Sequence, residues 1–128
     1  MIKSLYFSIL KFIIIILFIL IPNYNNAKEI LIYADNISYD EEKNLIARGN
    51  AKIFQNNNLI FSDLIIYNKV EEKIILPIKF TFKDENNNYF EGENGFFLKN
   101  LNYAEFNTPR IKLNDGSRII GKKLKRDG

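Results

Sequence analysis

The stretch Ala34-Asp35-Asn36-Ile37-Ser38-Tyr39-Asp40-Glu41-Glu42-Lys43-Asn44-Leu45-Ile46-Ala47-Arg48-Gly49-Asn50-Ala51-Lys52-Ile53 decides how this chain reads. It divides into strand, polar turn, strand. Ile37 and Tyr39 alternate with Asn36 and Ser38, the two-residue period of a half-buried strand. Asp40 to Asn44 is charged and polar, as a turn requires. Leu45, Ala47, Gly49, Ala51 and Ile53 then share one face, with Arg48, Asn50 and Lys52 on the other. A looser copy follows: Ser62-Asp63-Leu64-Ile65-Ile66-Tyr67 repeats Ala34 to Tyr39, with Asp63 standing 28 residues (63 minus 35) beyond Asp35.

Strand signals extend in both directions from this unit. Glu29 to Tyr33 is short and apolar, and Gln55-Asn56-Asn57-Asn58 is a turn. Leu59 to Tyr67 reads as one strand with Leu59, Phe61, Ile65 and Tyr67 in phase. After the charged turn Asn68 to Lys73, residues Ile74, Leu76, Ile78, Phe80 and Phe82 alternate with Ile75, Pro77, Lys79 and Thr81. Pro77 cannot donate to a ladder, so an edge or a bulge is expected there. Asp84 to Asn88 is a third polar turn, and Tyr89 to Leu98 a strand loosened by Gly92 and Gly95. Leu101 to Phe106 and Arg110 to Leu113 read as separate strands divided at Pro109. Asn114-Asp115-Gly116-Ser117 is an Asp-Gly hairpin turn, and Arg118 to Gly121 starts the last strand. Nothing after residue 28 has sustained helical periodicity, so the fold class is all-β: a sandwich, roll or barrel.

Composition narrows the function. The chain has 128 residues, enough for one small domain, and 47% of them are hydrophobic. Net charge is +3; Lys3 and Lys11 account for two of these, leaving +1 (16 minus 15) beyond residue 27. That near-neutral remainder lacks the basic stripe nucleic-acid binding needs. The seven Tyr and eleven Phe are not interleaved with cations, so they read as core, not as stacking platforms. Lys122-Lys123-Leu124-Lys125-Arg126 is the single basic run and reads as a solvated tail in preference to a phosphate-binding patch, with contact to anionic lipid left open. With no Cys and no His, disulfides, Cys-based zinc sites and His general bases are excluded. No cofactor or metal is expected.

Met1 to Ala27 has the form of an export signal. Lys3 and Lys11 supply the positive region, Phe12 to Ile21 an unbroken apolar run of ten, and Ala27 a small residue for cleavage. The same segment also reads as an uncleaved anchor, since Leu5 to Ile21 gives 17 residues, at the short end for a membrane span. Cleavage is the favoured reading. Residues 28–128 then form the mature domain, beyond a membrane.

The repeated hairpin suggests stacked strands, each unit burying its apolar face on the next. A third, weaker copy starts at Gly92-Glu93-Asn94-Gly95-Phe96-Phe97. Ala-Asp-x-Ile-x-Tyr-Asp, a charged turn and Ala-x-Gly-Asn-x-x-Ile resemble the OstA-like domain of bacterial lipopolysaccharide transport. That domain occurs as the periplasmic bridge protein LptA and as the N-terminal part of the outer-membrane assembly protein LptD. The residues that carry the resemblance are Ala34, Asp35, Ile37, Tyr39, Asp40, Ala47, Gly49, Asn50 and Ile53, echoed by Asp63, Ile65 and Tyr67. The Asp115-Gly116-Ser117-Arg118 turn looks more like LptD. The resemblance spans residues 29–121.

It implies a V-shaped β-jellyroll whose apolar interior shields the acyl chains of lipopolysaccharide in the periplasm, on the way to the outer membrane. Neighbouring jellyrolls would join edge to edge by strand addition. The chain departs from LptD in carrying neither an outer-membrane barrel nor the cysteines that commonly tie the domain to one. A truncated reading frame or a free-standing domain would account for this. Membrane contact would come through the N-terminal segment or through a barrel missing from this sequence. On the same resemblance, an uncleaved N-terminus would make the chain a membrane-anchored relay like LptC.

Ile37, Tyr39, Ala51, Ile53, Phe61, Ile65, Tyr67, Ile78, Phe80 and Phe82 are the expected lipid-facing interior residues. Their pattern fits equally an ordinary filled core, which would make the chain a structural adaptor domain. Asp35 and Asp63 read as turn or bulge carboxylates, and not as a catalytic pair, since no other reactive groups converge with them. Gly49 reads as a packing or bulge position. No enzymatic activity is expected.

Overall fold

The computed structural model describes residues 29–98 and 100–127. The expected signal or anchor, residues 1–27, lies outside the described residues. The described residues form nine antiparallel strands: β1 (Leu31–Tyr33), β2 (Asn36–Tyr39), β3 (Leu45–Gln55), β4 (Asn58–Asn68), β5 (Lys73–Lys83), β6 (Tyr89–Leu98), β7 (Tyr103–Lys112), β8 (Arg118–Ile120) and β9 (Lys123–Asp127). No helix occurs among the described residues.

The strands pair in the order of the sequence, from β3 to β7. Each outer line is split in two. β1 and β2 lie end to end along β3, and β8 and β9 lie end to end along β7. Strands approach closely only where they are hydrogen-bonded neighbours, and β1 and β2 do not meet β8 or β9. The sheet is therefore open.

Its shape comes from irregularities that line up across the strands. The β3–β4 register slips between Arg48 and Ala51, β4–β5 between Ser62 and Ile66, and β5–β6 between Leu76 and Lys79. The β6–β7 register slips on both sides of Glu93. The breaks between β1 and β2, at Ala34 and Asp35, and between β8 and β9, at Gly121 and Lys122, continue the line. Gly49, Asn50, Asn94 and Thr108 sit on it with positive φ, a conformation that bulges use. Pro77 falls inside the β5 slip, where its missing N–H removes no ladder bond.

This line bends every strand, and the two halves of the sheet face each other. Gln55 at one end of β3 donates through Nε2 to Asn100 Oδ1 in the β6–β7 turn, at the opposite end of the strands, at 3.2 Å. Ile53, Ile60, Ile65, Ile74, Leu76, Phe80, Phe82, Phe97 and Phe106 are buried between the halves. Phe106 packs edge-on to Phe80, with centroids 5.1 Å apart. It fits because β6 has no side chain at Gly92 or Gly95, where a Cβ would collide with Phe106.

The 28-residue repeat now has a physical meaning. It is two strands of this sheet, so Asp35 and Asp63 both arrive at the bend, on either side of β3. Asp63 lies inside β4 and does not precede a strand. Asp35 Oδ2 accepts from Asn50 Nδ2 at 3.1 Å, and Asp63 Oδ1 accepts from the Asn50 backbone N–H at 3.4 Å. Two of the turns share a carboxylate device that is not part of the repeat, since Asp40 and Asp84 stand 44 residues (84 minus 40) apart. Asp40 Oδ1 accepts from the N–H groups of Glu42 and Asn44, and Asp84 Oδ1 from those of Asn86 and Asn88, all within 2.9 Å.

One expectation fails and a second holds in part. Leu101 to Phe106 and Arg110 to Leu113 are not separate strands; β7 runs through Pro109, because the irregularity beside it absorbs the missing donor. The basic run is largely solvated, as expected, but it is a strand and not a free tail. It forms β9, with Leu124 opposite Phe106 and Lys123 Nζ 2.6 Å from Glu105 Oε1.

Candidate functional site

The apolar inner face is the candidate site. Ala51, Ile53, Ile65, Phe80 and Phe82 are buried on it, and Tyr67 is half-buried against it. Burial, and secondarily the charge of Glu72, pushes the Tyr67 phenol up from its usual pKa.

Two of the ten expected interior residues, Phe61 and Ile78, lie off the inner face, and two more, Ile37 and Tyr39, lie in its phase but are exposed. Phe61 is on the outer face, opposite Lys52 and Thr81, with the Lys52 ammonium 5.9 Å from its ring. The slip between Ser62 and Ile66 reverses the phase of β4, so Ile60 and Ser62 face inward before it and Ile65 after it. Ile78 sits in the β5 irregularity and is 43% exposed. Ile37 and Tyr39 are opposite Ala47 and Leu45, in the inward phase, but they sit on the outermost line of the sheet among the described residues and are 48% and 71% exposed.

Ile60, Ile74, Leu76, Phe97, Leu101, Ala104 and Phe106 are inner residues that the candidate set omitted. Ile74 and Leu76 were in phase with Phe80 in the sequence. Phe106 could have been sought through Gly92 and Gly95, whose bare positions call for a large neighbour.

Most of the interior is filled by these side chains. Space opens at one end of the fold, in a cleft of about 410 Å³. Ile30, Ile32, Leu45, Tyr39 and Tyr67 form its apolar walls, and Lys43, Lys69 and Glu72 stand around it. Ile32 pairs opposite Ile53 in one half of β3, whereas Leu45 begins the other half. The cleft therefore lies where the two halves of the bent sheet separate. Its volume falls in the range of small-molecule sites, about 300–1,000 Å³. Asn100 reaches its rim and holds the buried Gln55, whose Oε1 has no partner among the described residues.

This geometry suits an elongated apolar ligand with a negatively charged end. The walls offer burial without hydrogen bonds, and two of the three charged groups at the mouth are cationic. Comparison with known proteins finds no family model and no curated protein that matches this chain.

Proposed function

We propose that the chain is a lipopolysaccharide-transport module of the OstA-like type, a β-jellyroll that shields acyl chains in the periplasm and passes them along a series of similar domains toward the outer membrane. The observation that carries this reading is the apolar cleft between the halves of the bent sheet, with Lys43 and Lys69 at its mouth. An acyl chain gains about 0.8 kcal/mol for each CH₂ it buries, so a chain of roughly twelve carbons needs no special polar site. The packed Phe residues would have to part for the chain to travel deeper. Nothing in the module performs chemistry; direction would come from an energised partner.

The outer side of β1 and β2, which pairs with no strand among the described residues, supports strand addition. Leu31 to Tyr39 contains no Lys or Arg, and Asp35 is its one charge. Edges meant to stay single are usually blunted by charge, often by Lys, as β9 is. A second reading, an adaptor domain with a filled core, is favoured by the packing of Phe80, Phe97 and Phe106.

Titration with a fluorescent lauroyl lipid separates the two. The transport reading expects saturable binding that Leu45→Trp, which fills the cleft, weakens about tenfold or more. Absence of binding, or binding indifferent to Leu45→Trp, supports the adaptor.

A further inference from the structure

The β7–β8 hairpin combines features that the lipid-transport reading does not use. Arg110 and Lys112 on β7 lie opposite Ile120 and Arg118 on β8, all four exposed. Lys112 and Arg118 are thus like charges placed face to face, an arrangement that costs stability. From residue 110 to 126 the chain carries seven cations against Asp115, a net of +6. Glu91 faces Arg110 across β6 and β7, yet no ion pair forms there. Among the described residues, Lys123 is the one cation of this region in a salt bridge.

Exposed apolar side chains sit among these charges. Ile119 is 48% and Ile120 76% exposed, and they point to opposite faces of the outermost strand. Together with Tyr89, Ile111 and the cations they line a shallow pocket of about 250 Å³. Edge protection alone accounts for the charges but not for two uncovered isoleucines beside them.

The hairpin is also held firmly. Gly116 N–H donates to Leu113 O at 2.9 Å, and Ser117 N–H to Asp115 Oδ1 at 2.8 Å. Asn114 N–H donates to Asn88 Oδ1 at 3.0 Å, and Asn114 Nδ2 to Asn86 O at 3.2 Å, tying the tip to the β5–β6 turn.

We propose that this hairpin docks on an anionic phospholipid surface, with Arg110, Lys112 and Arg118 at the headgroup phosphates and Ile119 and Ile120 in the interfacial layer. Phosphates relieve the Lys112–Arg118 repulsion, and an edge-on approach immerses both isoleucines. Exposed isoleucines beside the cations favour a membrane over a nucleic acid, which would find no row of stacking aromatics there. This goes beyond the acyl-chain cleft and does not depend on it.

The chain has no cysteine, so Ile120→Cys accepts a single nitroxide label. The full chain is mixed with vesicles of phosphatidylglycerol and phosphatidylcholine, or of phosphatidylcholine alone. Relaxation by oxygen and by a water-soluble nickel complex reports the label's depth. We expect immersion on the anionic vesicles only. A label at Ile78 should stay in water on both. Lys112→Glu with Arg118→Glu should reduce the immersed fraction at residue 120 about a hundredfold. Residues 1–27, which carry Lys3 and Lys11, are identical in the chains with and without the double substitution, so that contrast isolates the hairpin. A label that stays aqueous on anionic vesicles, or is immersed regardless of lipid charge and of the double substitution, overturns the proposal. Loss of lauroyl-lipid binding in the cleft would leave this result untouched, so the two readings fail separately.

Discussion

At the scale of single residues, small side chains and turn carboxylates do the shaping. Gly49 has φ +78°, and a Cβ there would lie 2.7 Å from Asp35 Oδ2. Gly49→Ala should cost about 1–2 kcal/mol from backbone strain and crowding. Gly92 is needed for space, not conformation. Gly92→Ala pushes into the Phe106 ring and should cost about 1–3 kcal/mol. Urea unfolding measures both; unchanged midpoints would contradict the packing described. The inward phase can be tested in the same way. Ile53→Ala should cost about 2–5 kcal/mol, whereas Ile37→Ala, on the uncovered outermost line, should cost less than about 1 kcal/mol.

At the scale of elements, one exposed ion pair adds to the ladder that holds β9. The hydrogen bond from Lys123 holds the Glu105 carboxyl below the usual carboxylate range, and the same contact raises Lys123. Glu105 therefore stabilises β9 fully above its ordinary value of about 4.3, and that contribution disappears as pH falls through its lowered value. Lys123 contributes fully below about 10.4 and loses its contribution as pH rises through its raised value. Nuclear magnetic resonance spectra of the β9 amides should show the strand loosening in acid before the sheet unfolds. Glu105→Gln should loosen it at pH 7 already; β9 shifts unchanged by that substitution would contradict the pairing's role.

Elements also show what the sequence could reveal. The sequence located β3, β4, β5 and β6 to within a residue or two, because polar turns rich in Asn, Asp, Glu and Lys bound each long run on both sides. Alternation lost the phase inside β4, because a bulge is a tertiary feature and Ser62-Asp63-Leu64 does not announce one. That is why Phe61 was expected inside. β9 was missed because Lys123, Lys125 and Arg126 hide the period-two position of Leu124. Pro109 suggested a break, since local rules cannot see that a neighbouring strand has already slipped.

For the whole molecule, the shape follows from one row of irregularities crossing an open antiparallel sheet. Bulges bend single strands in many proteins; aligned, they fold the entire sheet and bring Gln55 to Asn100. The alternating stretches indicated a shared inner face, but not how much of it would be filled. Residual space depends on how the halves meet, and that is settled by Phe106 filling the bare Gly92 and Gly95 positions and by the separation at Leu45.

Site-specific photo-crosslinking in a Gram-negative envelope tests the central claim most directly. A benzophenone side chain is placed at Leu45, in the cleft, and in a second protein at Phe61, on the outer face. The bent-sheet account predicts lipopolysaccharide adducts from residue 45 and none, or very few, from residue 61. Adducts absent at residue 45, or equally abundant at both positions, would contradict it.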